Sequence, residues 1–321
     1  MSVDVRPTDA TLGATVTGVD LRDLTDQQWD SIYDAFHEHA VLVFPGQFLE
    51  TEEQEAFARR WGEIEQVQEG RMTAPISNLH DDGTPRDPDD HLMKLIKGTH
   101  GWHTDSSFMP VSAKASMLTA KIIPSHGGAT EWADLRAGYD ALDDHTRQRI
   151  SGMAARHSLF HSLAMIGLEV ERGAGYGFQH DGVPLRPLVK MHPVTGRPSL
   201  FVGMHAYGIE GLDEDESAEL IRGLIDDACQ PPRVYTHHWT VGDLVMWDNR
   251  CVLHRGRPHD PSEPRVLAHT RVAGDPSTES APHVAGGPGR GAPTRTGTLA
   301  GPARPPRRNG LQRAWGLRYR P

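Results

Sequence analysis

Four short runs rich in aliphatic and β-branched residues, SMLTAKII (116–123), SLFVG (199–203), DLVMW (243–247) and PRVLAHTRVAG (264–274), are spread through the chain with long stretches between them. Apolar runs of this length read as strands, and strands so far apart cannot be joined by tight hairpins. The fold itself has to bring them together. This pattern predicts a mainly β architecture, a sandwich or barrel with helical insertions, and argues against a regular βαβ series.

The insertions have their own signals. Thr25 and Gln28 make a capping-box pattern, after which Trp29, Ile32, Tyr33 and Phe36 recur at helical spacing. VLVF (41–44) reads as a buried strand stopped by Pro45-Gly46. Thr51 and Gln54 repeat the capping pattern for a second helix with Phe57 and Trp61 on its apolar face, ended by Gly62. Residues 65–100 read as one long irregular loop, which inside a domain is usually functional. Two further helices are expected, one from near Tyr139 and one from about Asp213 to Ala228.

Charge divides the chain. From Pro276 to Pro321, eight arginines stand against one acid, Glu279, so this stretch is about +7 and the −10 of the whole leaves about −17 on residues 1–275. Sixteen of those last 46 residues are Gly or Pro, which predicts a domain over 1–275 and a disordered Arg/Pro/Gly-rich tail over 276–321. An acidic body argues against a nucleic-acid partner. No apolar run is long enough to span a bilayer, and the opening MSVDVRPTDATLGA lacks the pattern of a secretory signal, so no membrane partner and a cytoplasmic location are expected. Two cysteines, Cys229 and Cys251, indicate no disulfide framework. A homo-oligomer is expected because symmetric assemblies are common.

Nineteen histidines are too many for abundance to select any of them. Spacing selects. In GWHTDSSF (101–108), His103 and Asp105 are two positions apart, so at a strand end an imidazole and a carboxylate face the same way. His-x-Asp alone fits equally well a histidine hydrogen-bonded to a nearby acid. A third donor is available in DLVMWDNRCVLHRGRP, where His254 follows a strand. Two histidines and a carboxylate leave three adjacent octahedral positions open, which suits non-haem iron(II), whereas zinc prefers a tetrahedral site with one open position. Eleven residues on, a strand through Arg265 places Arg265, Leu267, His269 and Arg271 on one face. That face is either solvated or built around an anion such as a dicarboxylate.

Taken together, His103-x-Asp105, Thr130 in GGATEWAD, His254 after WDNR and Arg265 resemble the iron(II)/2-oxoglutarate dioxygenases of the TauD/TfdA family, over about residues 8–275. The resemblance implies a double-stranded β-helix (jelly-roll) fold. It implies His103, Asp105 and His254 as Fe(II) ligands, Thr130 and Arg265 as the binders of the distal carboxylate of the cosubstrate 2-oxoglutarate, and use of O2. Within the family, ATLGATVTGV, RPLVK, HPVTGRPSL and WDNRC resemble the enzymes that cleave phenoxypropionates, with pentalenolactone-type tailoring enzymes a second similar group. The Ala/Arg/Gly/Asp-rich composition favours the second, an oxygenase of antibiotic or terpenoid lactone biosynthesis that hydroxylates, desaturates or epoxidises a small, mainly apolar, carboxylate-bearing molecule. Aryloxypropionate ether cleavage is the alternative. Two positions depart from the family pattern: Thr99 stands where an asparagine is frequent, and His269 where taurine-type members carry a substrate-binding arginine. Thr99, His269 and Arg271 are therefore the expected substrate contacts. A non-catalytic metal-binding β-barrel would have no use for Arg265 or Thr130, and neither would a zinc hydrolase.

Overall fold

Antiparallel pairing between distant segments builds the molecule. The computed structural model describes residues 3–67, 71–80, 82–168, 176–177 and 182–284. A seven-stranded major sheet runs in the order Asp4–Pro7, Ala14–Thr17, Val41–Phe44, Leu244–Asp248, Ala115–Ile122, Val266–Val272, Thr73–Ser77. A three-stranded sheet of Val234–His237, Thr130–Asp134 and Val252–Gly256 faces it, and a four-stranded sheet and a two-stranded ribbon complete the β structure. This is the predicted jelly roll with helical insertions.

Alternation along the strands explains the layering. Leu42, Phe44, Met117, Leu244 and Met246 point to the outer face of the major sheet, where helices Asp26–His39 and Thr51–Arg59 cover them with Ile32, Phe36 and Phe57. Their neighbours Val41, Val43, Leu118, Val245, Trp247 and Leu267 point inward to meet Trp132 and Val252 of the three-stranded sheet. Trp132 and Trp247 are fully buried with ring centroids 5.7 Å apart, and loss of either side chain would cost about 3–5 kcal/mol.

Several expectations shift. The box at Thr25 and Gln28 forms as predicted. The second helix is instead capped by Glu50 with Glu53, one residue earlier, because Gln54 turns inward and donates to the Ala268 carbonyl (3.1 Å) and to Thr270 (2.9 Å). The helix expected near Tyr139 begins at Leu135 on an Asp134 cap and is followed by a second, Asp144–Ile150. The run 65–100 is not all loop. It holds the strand Thr73–Ser77, at the sheet edge where Pro75 is tolerated, and the helix His91–Gly98 on an Asp90 cap. Finally, the packed chain does not stop at 275: Pro276–Glu279 is helical and His283–Val284 pairs with Val183 and Pro184. The remainder of the predicted tail, 285–321, lies outside the described residues.

Candidate metal and cosubstrate site

His103 and His254 are brought together by the backbone. His103 N–H donates to the His254 carbonyl (3.0 Å) and His254 N–H to the His103 carbonyl (2.8 Å), an isolated antiparallel bridge that sets the two imidazoles side by side at 4.1 Å between centroids. Gly203 makes room beneath them: its φ is +153°, and a Cβ there would lie 3.4 Å from the His103 Cα and 3.1 Å from Leu253. Asp105 follows in a turn. One ligand atom from each of His103, Asp105 and His254 lies within 4.8 Å of the other two, and all three residues are buried.

The protonation states suit a cation. The His103 Nδ1–H donates to the Gly101 carbonyl (2.8 Å), which leaves the Nε2 lone pair free. Burial holds both imidazoles below their ordinary pKa, against the pull of Asp105, and His254 lies well below. Burial alone would raise the Asp105 carboxyl, but the N–H groups and charge of the side chains around it, Arg271 among them, outweigh burial and keep it well below the usual carboxylate range. Neutral imidazoles and an ionised carboxylate are the forms that bind metal.

A second layer orients Asp105. Ser116 Oγ donates to Asp105 Oδ2 (2.7 Å), Asn249 Nδ2 donates to Ser116 Oγ (2.8 Å), and Asn249 Oδ1 accepts from Trp247 Nε1 (3.0 Å). Ser116 and Asn249 were not singled out from sequence, although Asn249 lies inside WDNR. Trp239 was missed as well: its indole N–H donates to Thr130 Oγ1 (3.0 Å), so the threonine hydroxyl proton is left for another acceptor.

All eight residues predicted from sequence, Thr99, His103, Asp105, Thr130, His254, Arg265, His269 and Arg271, line one cavity of about 190 Å³. Its other walls are apolar, with Ala74 and Ile76 from the edge strand and Leu92, Leu95 and Ile96 from the helix that sequence reading took for loop. The spacing of Leu92, Leu95 and Ile96 behind Asp90 was the available signal.

The two arginines differ. Arg265 is 7% exposed and makes no ion pair among the described residues; Nη2 donates to the Gly128 carbonyl (2.9 Å) and Nε has no partner. Burial pushes its guanidinium down to about 10. A buried, unbalanced guanidinium facing a cavity calls for an anion there. Arg271 already has two: Glu65 at 3.3 Å and Asp105 at 3.9 Å, with Tyr176 stacked 4.4 Å from the guanidinium carbon. His269 Nε2 lies 3.3 Å from Asp105 Oδ2, at ion-pair distance but without hydrogen-bond alignment. Thr99 lines the cavity and donates its hydroxyl to the Ile96 carbonyl (2.7 Å), which leaves its oxygen able only to accept. Thus Arg265, predicted for the cosubstrate end, is free of a charge partner among the described residues, and Arg271, predicted for the substrate end, is charge-balanced.

Comparison with known proteins agrees with this geometry. Residues 4–272 match the taurine catabolism dioxygenase TauD, TfdA family. The (S)-phenoxypropionate/alpha-ketoglutarate-dioxygenase of Sphingobium herbicidovorans is 50% identical over 87% of this chain and 97% of its own, and that of Delftia acidovorans 48% identical over 87% and 98%. Pentalenolactone F synthase of Streptomyces arenae is 33% identical over 79% of this chain and 88% of its own. The crystal structure of AAD-2 in complex with Mn(II) and N-oxalylglycine superposes with a TM-score of 0.80 at 38% identity, covering 88% of this chain and 100% of that one. The buried His-Asp-His donor set and the unbalanced arginine fit the cofactors of that likeness, and the chain belongs to the TauD, TfdA family of dioxygenases, enzymes that use iron(II), 2-oxoglutarate and dioxygen.

Proposed function

We propose that this dioxygenase cleaves the ether bond of small 2-aryloxyalkanoates, with His103, Asp105 and His254 holding iron and Thr130 and Arg265 holding the distal carboxylate of 2-oxoglutarate. The observation that carries the reading is the shared cavity, in which a neutral-imidazole, carboxylate donor set and an unpaired buried guanidinium face one another. Iron(II) with 2-oxoglutarate and dioxygen supplies an oxidant able to take hydrogen from an unactivated carbon, the cosubstrate leaving as succinate and carbon dioxide.

The chain's own part is placement. Arg265 offers a two-pronged donor and Thr130 a single hydroxyl proton, which together fix the long axis of the cosubstrate. Leu92, Leu95 and Ile96 keep the cavity dry on the helix side and offer an aromatic ring an apolar wall. His269 and Arg271 line the cavity beside Asp105 and supply N–H groups for a substrate carboxylate, and Thr99 lines the same cavity. Hydroxylation of the carbon that bears the ether oxygen gives a hemiketal, which collapses to a phenol and a 2-oxo acid.

Lactone tailoring, expected from composition, is supported by relatives at 33% and 29% identity, against 50% and 48% for the phenoxypropionate enzymes. Ether cleavage is therefore the reading we adopt, together with a cytoplasmic, small-molecule role. The test is succinate and phenol release with each enantiomer of a 2-aryloxypropionate. Stoichiometric phenol with one enantiomer supports the reading; succinate release driven only by a terpenoid lactone overturns it.

A further inference from the structure

Asp105 is followed by Ser106, whose backbone is left-handed at φ 56°. A non-glycine residue persists in that region where its surroundings over-determine it. The turn 106–112 has no regular structure of its own, and its anchors come from far along the chain. Arg186 is 3% exposed and uses its guanidinium on three main-chain carbonyls: Nε to Ser107 (2.6 Å), Nη2 to Met109 (2.7 Å) and Nη1 to Glu279 (3.1 Å). Glu279, 1% exposed, returns the clasp. Its carboxylate accepts from Ser112 Oγ (3.0 Å) and from Lys190, and its carbonyl accepts from Ser112 N–H (3.2 Å). Ala281 N–H donates to the Pro110 carbonyl (3.2 Å), and Val111 bridges Ser280. The crossing is tight: a Cβ on Gly274 would lie 2.1 Å from the Ser112 carbonyl oxygen.

The anchors on the far side of the turn come from Arg186 and from residues 279–281, the latter beyond residue 272, where the match to the family model ends. We propose that residues 276–284 form a strap, closed by Arg186 and Glu279, that positions Asp105 towards the metal. Arg186 and Glu279 are positioning residues: neither lines the cavity, and both act through the turn that carries the carboxylate. The inference rests on Asp105 being an iron ligand, as proposed above.

The test uses the full-length chain and compares wild type with Glu279→Gln, Arg186→Lys and Asp105→Ala. Anaerobic iron(II) affinity in the presence of 2-oxoglutarate, the visible band of the resulting chelate, and the KM for 2-oxoglutarate at saturating iron are measured. The strap predicts iron affinity lowered about tenfold or more in Glu279→Gln and Arg186→Lys, with a shifted band, as expected when the support of a ligand is altered. The KM for 2-oxoglutarate stays within about twofold, because Thr130 and Arg265 are held by other elements. Wild-type iron affinity in both variants overturns the proposal. So does a parallel loss of iron and 2-oxoglutarate binding, which would mark a general packing role. Should either variant fail to fold, Ser112→Ala removes only the hydroxyl bond to Glu279, and wild-type iron affinity there is equally fatal. Retained affinity in Asp105→Ala would instead overturn the ligand assignment itself.

Discussion

Among the described residues two buried trios, each with a histidine and an aspartate, bring ligand atoms together, and one of them is open. His103, Asp105 and His254 bring three ligand atoms within 4.8 Å of one another; so do His192, Asp248 and Cys251. In the second trio the lone pairs are already engaged. Asp248 accepts from Arg250 Nε (2.8 Å) and Nη2 (2.6 Å) and from His192 Nε2 (3.0 Å). His192 Nδ1 accepts the N–H groups of Val194 and Thr195, so its proton sits on Nε2, towards Asp248. Burial pushes the Cys251 thiol up, away from the thiolate a metal would need. This trio clamps the WDNR turn. In the first trio burial holds both imidazoles below their ordinary pKa, and among the described residues nothing bonds the His254 Nδ1. A histidine and an aspartate are common to both; which atoms are already satisfied, and an imidazole in place of a protonated thiol, make the difference.

The comparison can be broken most sharply at His254. His254→Ala should lose stoichiometric iron binding and all turnover, with thermal stability close to wild type, read by iron content and succinate release. Asp248→Asn should do the reverse. Leaving Arg250 buried without its partner costs about 3–5 kcal/mol of stability, read by urea unfolding, while the folded protein still binds one iron. Asn249 joins the two regions, since it lies in the clamped turn and holds Ser116 against Asp105. Asn249→Ala should lower iron affinity about 10–100-fold with a smaller effect on stability.

The smallest effect expected is a pH slope away from both trios. Among the described residues neither ring nitrogen of His157 has a hydrogen-bond partner, and burial, with Arg186 and His205, holds its pKa well below the ordinary value. Its folded form stays neutral while the unfolded chain takes up a proton below about pH 6.5. Stability should therefore be unaffected above that pH and fall as pH drops below it, by about 1.4 kcal/mol per unit for this one proton. His157→Phe should flatten the slope of unfolding free energy between pH 6 and pH 4, a window chosen as roughly the onset of that uptake.

Much of the site was legible because it is written in strand alternation. Arg265, Leu267, His269 and Arg271 all face the cavity, as a period of two requires, while Ala268 and Thr270 face Gln54 on the other side. What was not legible depends on partners far away in sequence. Gln54 looked like a capping residue because its true contacts lie 214 and 216 residues on. Pro75 made an edge strand look like loop, and the Gly/Pro-rich composition around Glu279 hid a segment whose order comes from Arg186, Lys190 and Ser112. The charge balance of Arg271 was invisible for the same reason: Glu65 reaches it from another part of the chain.

The central claim is that one ferrous ion and one 2-oxoglutarate are gripped from opposite ends of a single cavity, by the His103, Asp105, His254 trio and by Arg265. Anaerobic titration of iron(II) and 2-oxoglutarate into the metal-free protein, followed by the visible charge-transfer absorption of the chelate, tests it directly. The account predicts a band that saturates at one equivalent in wild type, is absent in His254→Ala, and needs about 10–100-fold more 2-oxoglutarate in Arg265→Met. A band that forms with wild-type affinity in either variant would contradict it.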